Sequence, residues 1–483
     1  MNRLVRALRT PHAALFALCF GAYAYFYQAG GWNQNSRFDL TRAIIEDRSL
    51  AIDRFVNNTG DRARRDGHYF CDKAPGVSLA GVIPYQVVYA LAGDPRPSPG
   101  YLAWASWFVT VIVIALPSAL GVIFLAFLLR ALGLRAGPAL GGAAVWGLAT
   151  LAFPYATLYY GHQLVAALLV IAFAIAVQIR KGITPATPWR LAAIGATGGA
   201  AIVVEYPAAL AAVAIGVYAA VLLPRRHLLW IVAGGLVPGA ILAWYHAAAF
   251  GSPTTLPYEF STMPHRHMGW FMGLGTPQPV ALWHILISPF RGLLFGMPWL
   301  VLAFPGARAW VRQGARAEVA VSAAVVLLFI WLNASLVDWD GGWAMGARYL
   351  VPCLPFAVVL CAGVLAAPLG DTTLARALRA ATLAAIAWSA FVMFAGTVVQ
   401  PEVDGAIRAP LFGYHVPHLL RGEVSTSTQS IDMANHPKVG TRHAWNLGEK
   451  LGLPGAASLV PLFAWCIGFG LLVRRRARGA TPT

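Results

Sequence analysis

At 483 residues, 58% hydrophobic and 11% charged, with a mean hydropathy of +0.62, the chain is far more apolar than soluble domains, which run at about 45–50% apolar and about 25% charged. A soluble globular enzyme is thereby excluded. The net charge of +17 would suit nucleic acid only if a basic stripe lay on a soluble face, and the sequence has none.

Behind the basic opening "MNRLVRALRT", an apolar run reaches from His12 to about Gln28. It has signal-peptide character, with Ala22-Tyr23-Ala24 as a cleavage site, but it stays aromatic past that site and further spans follow, so an uncleaved first span over 11–29 is expected. The first polar loop, 30–75, then carries seven of the chain's nineteen acids. It opens as a short amphipathic helix from Ser36 to about Asp47, on which Asp39 turns inward if Arg37 or Arg42 neutralises it. At the end of the loop, Asp61, His68, Tyr69, Asp72 and Lys73 gather ahead of a helix starting at Pro75-Gly76. A helix start offers free N–H groups to anions, an ammonium beside it suits a phosphate, and neighbouring carboxylates can act as a general base.

A bilayer-crossing helix needs roughly 20 apolar residues, and spans are expected at 11–29, 101–130, 137–155, 164–180, 188–205, 207–223, 228–249, 291–307, 317–336, 347–368, 376–397 and 456–473. The short run 77–91 reads as a juxtamembrane or re-entrant helix; the rival is that it crosses while 101–130 folds as a hairpin at Pro117. Either way the loops alternate, and one side collects nineteen basic residues against Glu318 and Asp371, leaving the other side balanced. The positive-inside rule makes that basic side cytoplasmic, with both termini. The expected fold is all-α: one polytopic membrane domain over 1–483, about twelve transmembrane helices, and outer segments at 30–75, 250–290 and 400–454, the last an outer cap.

Further along, Glu205 and His162 fall at outer span ends. The second loop carries Tyr258, a sugar or headgroup contact, and the pair His265 and His267, which could share a divalent metal with a distant carboxylate, although such histidines are more often plain surface. The segment "DWDGGWAMGARYLVPCLPF" sets Trp343 at the interfacial level and opens a span with Arg348, whose guanidinium can grip a phosphate bidentately. Cytosolic nucleotide chemistry is excluded by short inner loops and the lack of a phosphate-binding loop or dinucleotide fingerprint.

These segments resemble the GT-C superfamily of multi-spanning glycosyltransferases, such as protein O-mannosyltransferases and lipid A aminoarabinose transferases. Asp72-Lys73-Ala74-Pro75-Gly76 is similar to the Glu-Lys-Pro-Pro-Leu turn of the aminoarabinose branch, and "RFDLTRAIIED" to the early Arg-aromatic segment of its first loop. The family's acidic pair before that Arg is replaced here by Gln34 and Asn35, so the base must be Asp39, Asp61 or Asp72. The resemblance implies a polyprenyl-phosphate sugar donor, phosphate contact at Lys73 and work at the outer face. The residues themselves add phosphate contact at Arg348 and substrate contacts from Arg37, His68, Tyr69, Glu205, Tyr258 and Trp343, and the expected setting is a bacterial inner membrane with a glycan, lipid or protein acceptor. A lipid-linked glycan ligase or polymerase, and a lipid or solute transporter, are the competing functions; a transporter would place ionisable residues near mid-membrane, where these spans have few.

Overall fold

The computed structural model describes residues 10–93, 98–366, 370–434 and 440–479. Arg3, Arg6 and Arg9, which enter the charge count, lie outside the described residues. Among those described, seven helices are long and apolar enough to cross a bilayer, and four shorter apolar ones accompany them. The chain is thus an all-α, multi-pass membrane protein.

In chain order, α1 (Pro11–Ala24) runs into β1 (Phe26–Tyr27), α2 (Trp32–Arg42), the hairpin strands β2 (Arg62–Arg65) and β3 (His68–Cys71), and α3 (Gly76–Leu91). Next come α4 (Gly100–Ala131), α5 (Ala136–Leu148), α6 (Gly161–Arg180), α7 (Pro188–Val204), α8 (Tyr206–Leu222) and α9 (Arg225–Phe250). The last third holds α10 (Arg316–Ser335), α11 (Arg348–Leu365), α12 (Thr373–Val399), β4 (Trp445–Asn446) and α13 (Gly455–Gly479).

Two expectations meet the structure directly. The run 101–130 is a single helix, not a hairpin: Pro117 is absorbed by a π-turn over Val111–Ala115, which re-forms the backbone bonding that a proline without an N–H interrupts. The run 291–307, expected as one span, is broken. It forms a turn at Leu293–Gly296, a 3-10 segment at Pro298–Leu302 and a separate helix at Ala303–Arg312, because Gly296, Pro298 and Pro305 interrupt the bonding ladder. Helix α5 likewise stops at Leu148, well before residue 155.

The buried centre is formed by α6 and α11, each with 78% of its apolar window enclosed, against 11% for α9 at the periphery. Helix α4 packs along α6, α1 lies between α4 and α13, and α7 pairs with α9. That last pair touches backbone to backbone: a Cβ on Gly234 would stand 2.0 Å from the Ala192 carbonyl oxygen, and one on Gly195 would stand 1.8 Å from the Ile231 oxygen. Lipid tails are as apolar as leucine, so helices in a bilayer associate by such close approach of small residues.

The long loops are held by short strands. β1 pairs antiparallel with β4, tying the end of α1 to the cap segment. In the β2–β3 hairpin, Arg65 faces His68 and Arg62 faces Cys71 across a turn of Asp66 and Gly67, both at positive φ (50° and 87°), as a two-residue hairpin turn requires.

A substitution tests the α7–α9 contact. Gly234→Ala should lower stability by about 1–3 kcal/mol through overpacking, seen as a reduced thermal midpoint in detergent. Gly239→Ala, on the same helix with nothing within 4 Å of the added carbon, should leave it unchanged.

Candidate active site

The hairpin register decides which first-loop residues meet. Arg62 lies opposite Cys71, so the residues just beyond the open end come together, and Lys73 Nζ sits 3.1 Å from Asp61 Oδ2 and 3.1 Å from Asp72 Oδ1. His68 and Tyr69 lie at the turn end instead. With a rise of about 3.3 Å per residue, the strand carries His68 roughly 10 Å beyond Cys71, where its Nδ1 pairs with the exposed Asp53 at 2.7 Å. Neither His68 nor Tyr69 lines a cavity near Lys73.

The second loop docks on this hairpin. Thr262 N–H donates to Arg62 O at 2.9 Å, the Ser261 hydroxyl donates to Asp72 Oδ2 at 3.0 Å, and Ser261 bridges Ala63. A 3-10 turn over Pro264–His267 then aims Arg266 toward Lys73, with its guanidinium 4.3 Å from the Tyr258 ring centroid. From the other side Arg348 opens α11, donating to the hydroxyls of Tyr160 (3.3 Å) and Tyr349 (3.2 Å).

Two cavities meet at these cations. One, of about 300 Å³, is walled largely by apolar side chains of α8, α10 and the 256–274 loop; the other, of about 440 Å³, is polar and faced by Asp61, Asp338, Asp340 and Glu402. Lys73, Arg266, Arg348 and Asn33 line both. The buried Nε atoms of Arg266 and Arg348 have no hydrogen-bond partner. Cations left under-satisfied at a buried junction are poised for an anion.

The charges reinforce one another. Burial alone would lower the Lys73 pKa, but Asp61 and Asp72 outweigh it and hold the ammonium above its ordinary value. Burial would raise Asp61, but Lys73, then Arg348, keep it below the usual carboxylate range. Asp338 is also held low: against burial stand Arg266, His265 and the Tyr349 hydroxyl at 2.7 Å. Glu402 behaves oppositely, pushed up to about 7 by burial and only partly drawn back by Tyr160, Arg348 and Gln34.

Several expected residues take other positions. Asp39 is fully buried away from both cavities, with both oxygens accepting from Asn58 Nδ2 at 2.9 and 3.1 Å; burial raises its pKa well above normal. Asp72 is also fully buried and lines neither cavity, so it supports Lys73 rather than facing a substrate. Arg37 is spent on Glu205, at 2.6 Å, in the apolar cavity wall that also includes Tyr258 and His162. Trp343 lines the polar cavity. His265 and His267 diverge: the first faces Asp338 at 3.7 Å, the second bonds Ser261 O at 2.6 Å. Among the described residues no three His, Cys, Asp or Glu side chains are placed to share a metal ion.

Sequence reasoning missed Arg266, Asn33, Tyr160, Asp338, Asp340 and Glu402 as site residues. Arg266 stands between the two histidines that drew attention, and its only signal was a cation in a loop of balanced charge.

Fold and site together define a multi-pass membrane protein with three cations clustered between an apolar and an acidic chamber. Among solved structures, the chain is similar to ArnT from Cupriavidus metallidurans bound to undecaprenyl phosphate, at 17% identity and TM-score 0.49, over 97% of this chain and 76% of that one. It is similar to apo ArnT from the same organism at 18% identity and TM-score 0.49, over 96% and 76%. A third is the archaeal oligosaccharyltransferase AglB from Archaeoglobus fulgidus, in complex with an inhibitory peptide and a dolichol-phosphate, at 10% identity and TM-score 0.45, over 81% and 56%. No protein-family model matches the sequence, and no curated protein does. The chemistry must therefore be read from the side chains themselves.

Arg266 is the foremost of the charges that offset the burial of Asp338, so removing it leaves a buried carboxylate short of its counter-charge. Arg266→Leu is expected to lower the ligand-free stability by about 1–3 kcal/mol and to weaken anion binding at the junction; isothermal calorimetry and melting curves on the same preparation read both.

Proposed function

We propose that the protein is a membrane glycosyltransferase that moves a sugar from a polyprenyl-phosphate donor to an acceptor hydroxyl. One observation carries the reading: Lys73, Arg266 and Arg348 stand where an apolar cavity meets an acidic one. A lipid-linked phosphate has the same order of parts. Its chain suits the apolar chamber, its phosphate the three cations, and its sugar the carboxylate-lined chamber, where carboxylates can accept from sugar hydroxyls. The acceptor, a glycan, lipid or protein hydroxyl, approaches through the polar chamber past Trp343.

During transfer the anomeric C–O bond to phosphate breaks and negative charge builds on the departing phosphate. Cations fixed beforehand by Asp61 and Asp72 on Lys73, and by Tyr160 and Tyr349 on Arg348, are already oriented toward that charge. Such a donor needs no cytosolic nucleotide. In this reading the site opens at the outer face of a bacterial inner membrane and both termini are cytoplasmic, which follows from the one-sided basic loops.

Lipid extracts of a deletion strain should accumulate one polyprenyl-phosphate sugar, identified by mass spectrometry; unchanged lipid-linked pools would remove the reading. Lys73→Met and Arg348→Ala should each lower transfer by about 10²-fold or more and abolish undecaprenyl phosphate binding by the purified protein. For sidedness, His68→Cys, at an exposed hairpin tip, should react in intact cells with a membrane-impermeant maleimide, whereas four of the five native cysteines are buried.

A further inference from the structure

The polar chamber holds four carboxylates, and they are not equivalent. Asp61 is tied to Lys73 at 3.1 Å. Asp338 accepts the Tyr349 hydroxyl and faces His265. Asp340 caps the Gly342 N–H at 3.1 Å in the turn below the chamber. Glu402, which follows α12 in the cap segment, is different: only 5% exposed, it is held by two neutral donors, the Tyr160 hydroxyl on Oε1 at 2.6 Å and Gln34 Nε2 on Oε2 at 2.7 Å.

The surroundings are shaped around this carboxyl. Gly31 has φ +149°, a backbone region that favours glycine, and a Cβ there would stand 2.9 Å from Oε1 and 3.0 Å from Oε2. Tyr160 donates to Glu402 while accepting from Arg348 at 3.3 Å, so the carboxylate is one hydroxyl away from a cation of the phosphate seat.

We propose that Glu402 is the group that takes the proton from the acceptor hydroxyl, and that Asp61 serves to hold Lys73. This rests on the transferase reading of the chamber. In the step, the acceptor O–H proton passes to a Glu402 oxygen, the acceptor oxygen bonds to the sugar's anomeric carbon, and the anomeric C–O bond breaks with its electron pair leaving on the phosphate. Free polyprenyl phosphate is released, and Glu402 later returns the proton to water in the chamber. A carboxyl titrating near neutrality is both available as a base and strong enough to draw the proton, whereas one held low by an ammonium is a weak acceptor.

The sign is definite: the ionised form is the active one, so wild-type transfer should fall toward tenfold per unit as pH drops below about 7. Transfer is measured in membranes supplied with the sugar-lipid fraction from the deletion strain. Glu402→Gln should lose about 10²-fold or more and lack the inflection, yet bind undecaprenyl phosphate like wild type. Tyr160→Phe removes a donor that stabilises the carboxylate and also a partner of Arg348, so it should move the inflection upward and lower the rate at every pH. Wild-type rate and inflection in Glu402→Gln, or an unmoved inflection in Tyr160→Phe, would overturn the assignment. Loss of undecaprenyl phosphate binding by wild type itself would instead strike the donor reading.

Discussion

An ammonium withdrawn from water at a membrane boundary has to be paired, because the desolvation cost of an isolated charge there exceeds what packing returns. Lys73 meets that requirement twice, through Asp61 and Asp72, and the outer structure is arranged to keep it so. The β2–β3 hairpin has the register that brings Asp61 beside Asp72 and within reach of Lys73, and the second loop bonds the hairpin's edge and holds Asp72 through Ser261. Arg266 comes with that loop. One ion cluster therefore sets the position of two loops, and through them the shape of the junction.

The junction divides the molecule's solvents. On one side Phe329 and Leu332 of α10, Leu336 just after it and the small residues of α8 present an apolar wall; on the other, carboxylates line a chamber to which Glu402 and Gln429 of the cap segment contribute. Neither chamber explains the cations alone. An apolar chamber would exclude them, and an acidic one would simply neutralise them. Arg348 is kept from full neutralisation because its hydrogen-bond partners are phenols, and Tyr349 passes the contact on to Asp338 at one remove. Electrostatic readiness of this kind depends on holding charge close to, but not upon, its counter-charge.

Much of this was legible in the sequence, and the reasons for the rest are physical. Apolar runs longer than a turn of loop announce helices regardless of tertiary context, so α4, α6 and α9 fell where hydropathy put them. The interruption at 291–307 was harder to see, since Gly296 and Pro298 are tolerated in membrane helices where neighbours re-satisfy the backbone, and only the packed structure decides. Asp66-Gly67 was a visible hairpin signal in a segment read as a cluster of reactive groups, and reading it would have separated His68 from Lys73 at once. Asp39 looked catalytic because it sits in the right helix, but a helix has several faces, and its own points at Asn58.

Glu402 was the least legible residue of all, 368 positions from the Gln34 that holds it. Gln34 and Asn35 stand where the loops that this segment resembles carry acids, and the same loop is the natural place to look for the replacement. Chain proximity was the wrong guide, because β1 and β4 stitch the end of α1 to the cap and so bring residues after α12 onto the start of α2. Two amides there are not a loss of chemistry: Gln34 donates to the incoming carboxylate, and Asn35 donates to Ser430 O of the same cap. Both carboxyls are withdrawn from water, and burial pushes both upward. What sets Glu402 apart from Asp61 across the same chamber is the partner: Asp61 has the Lys73 ammonium at 3.1 Å, whereas Glu402 is hydrogen-bonded only by a phenol and an amide.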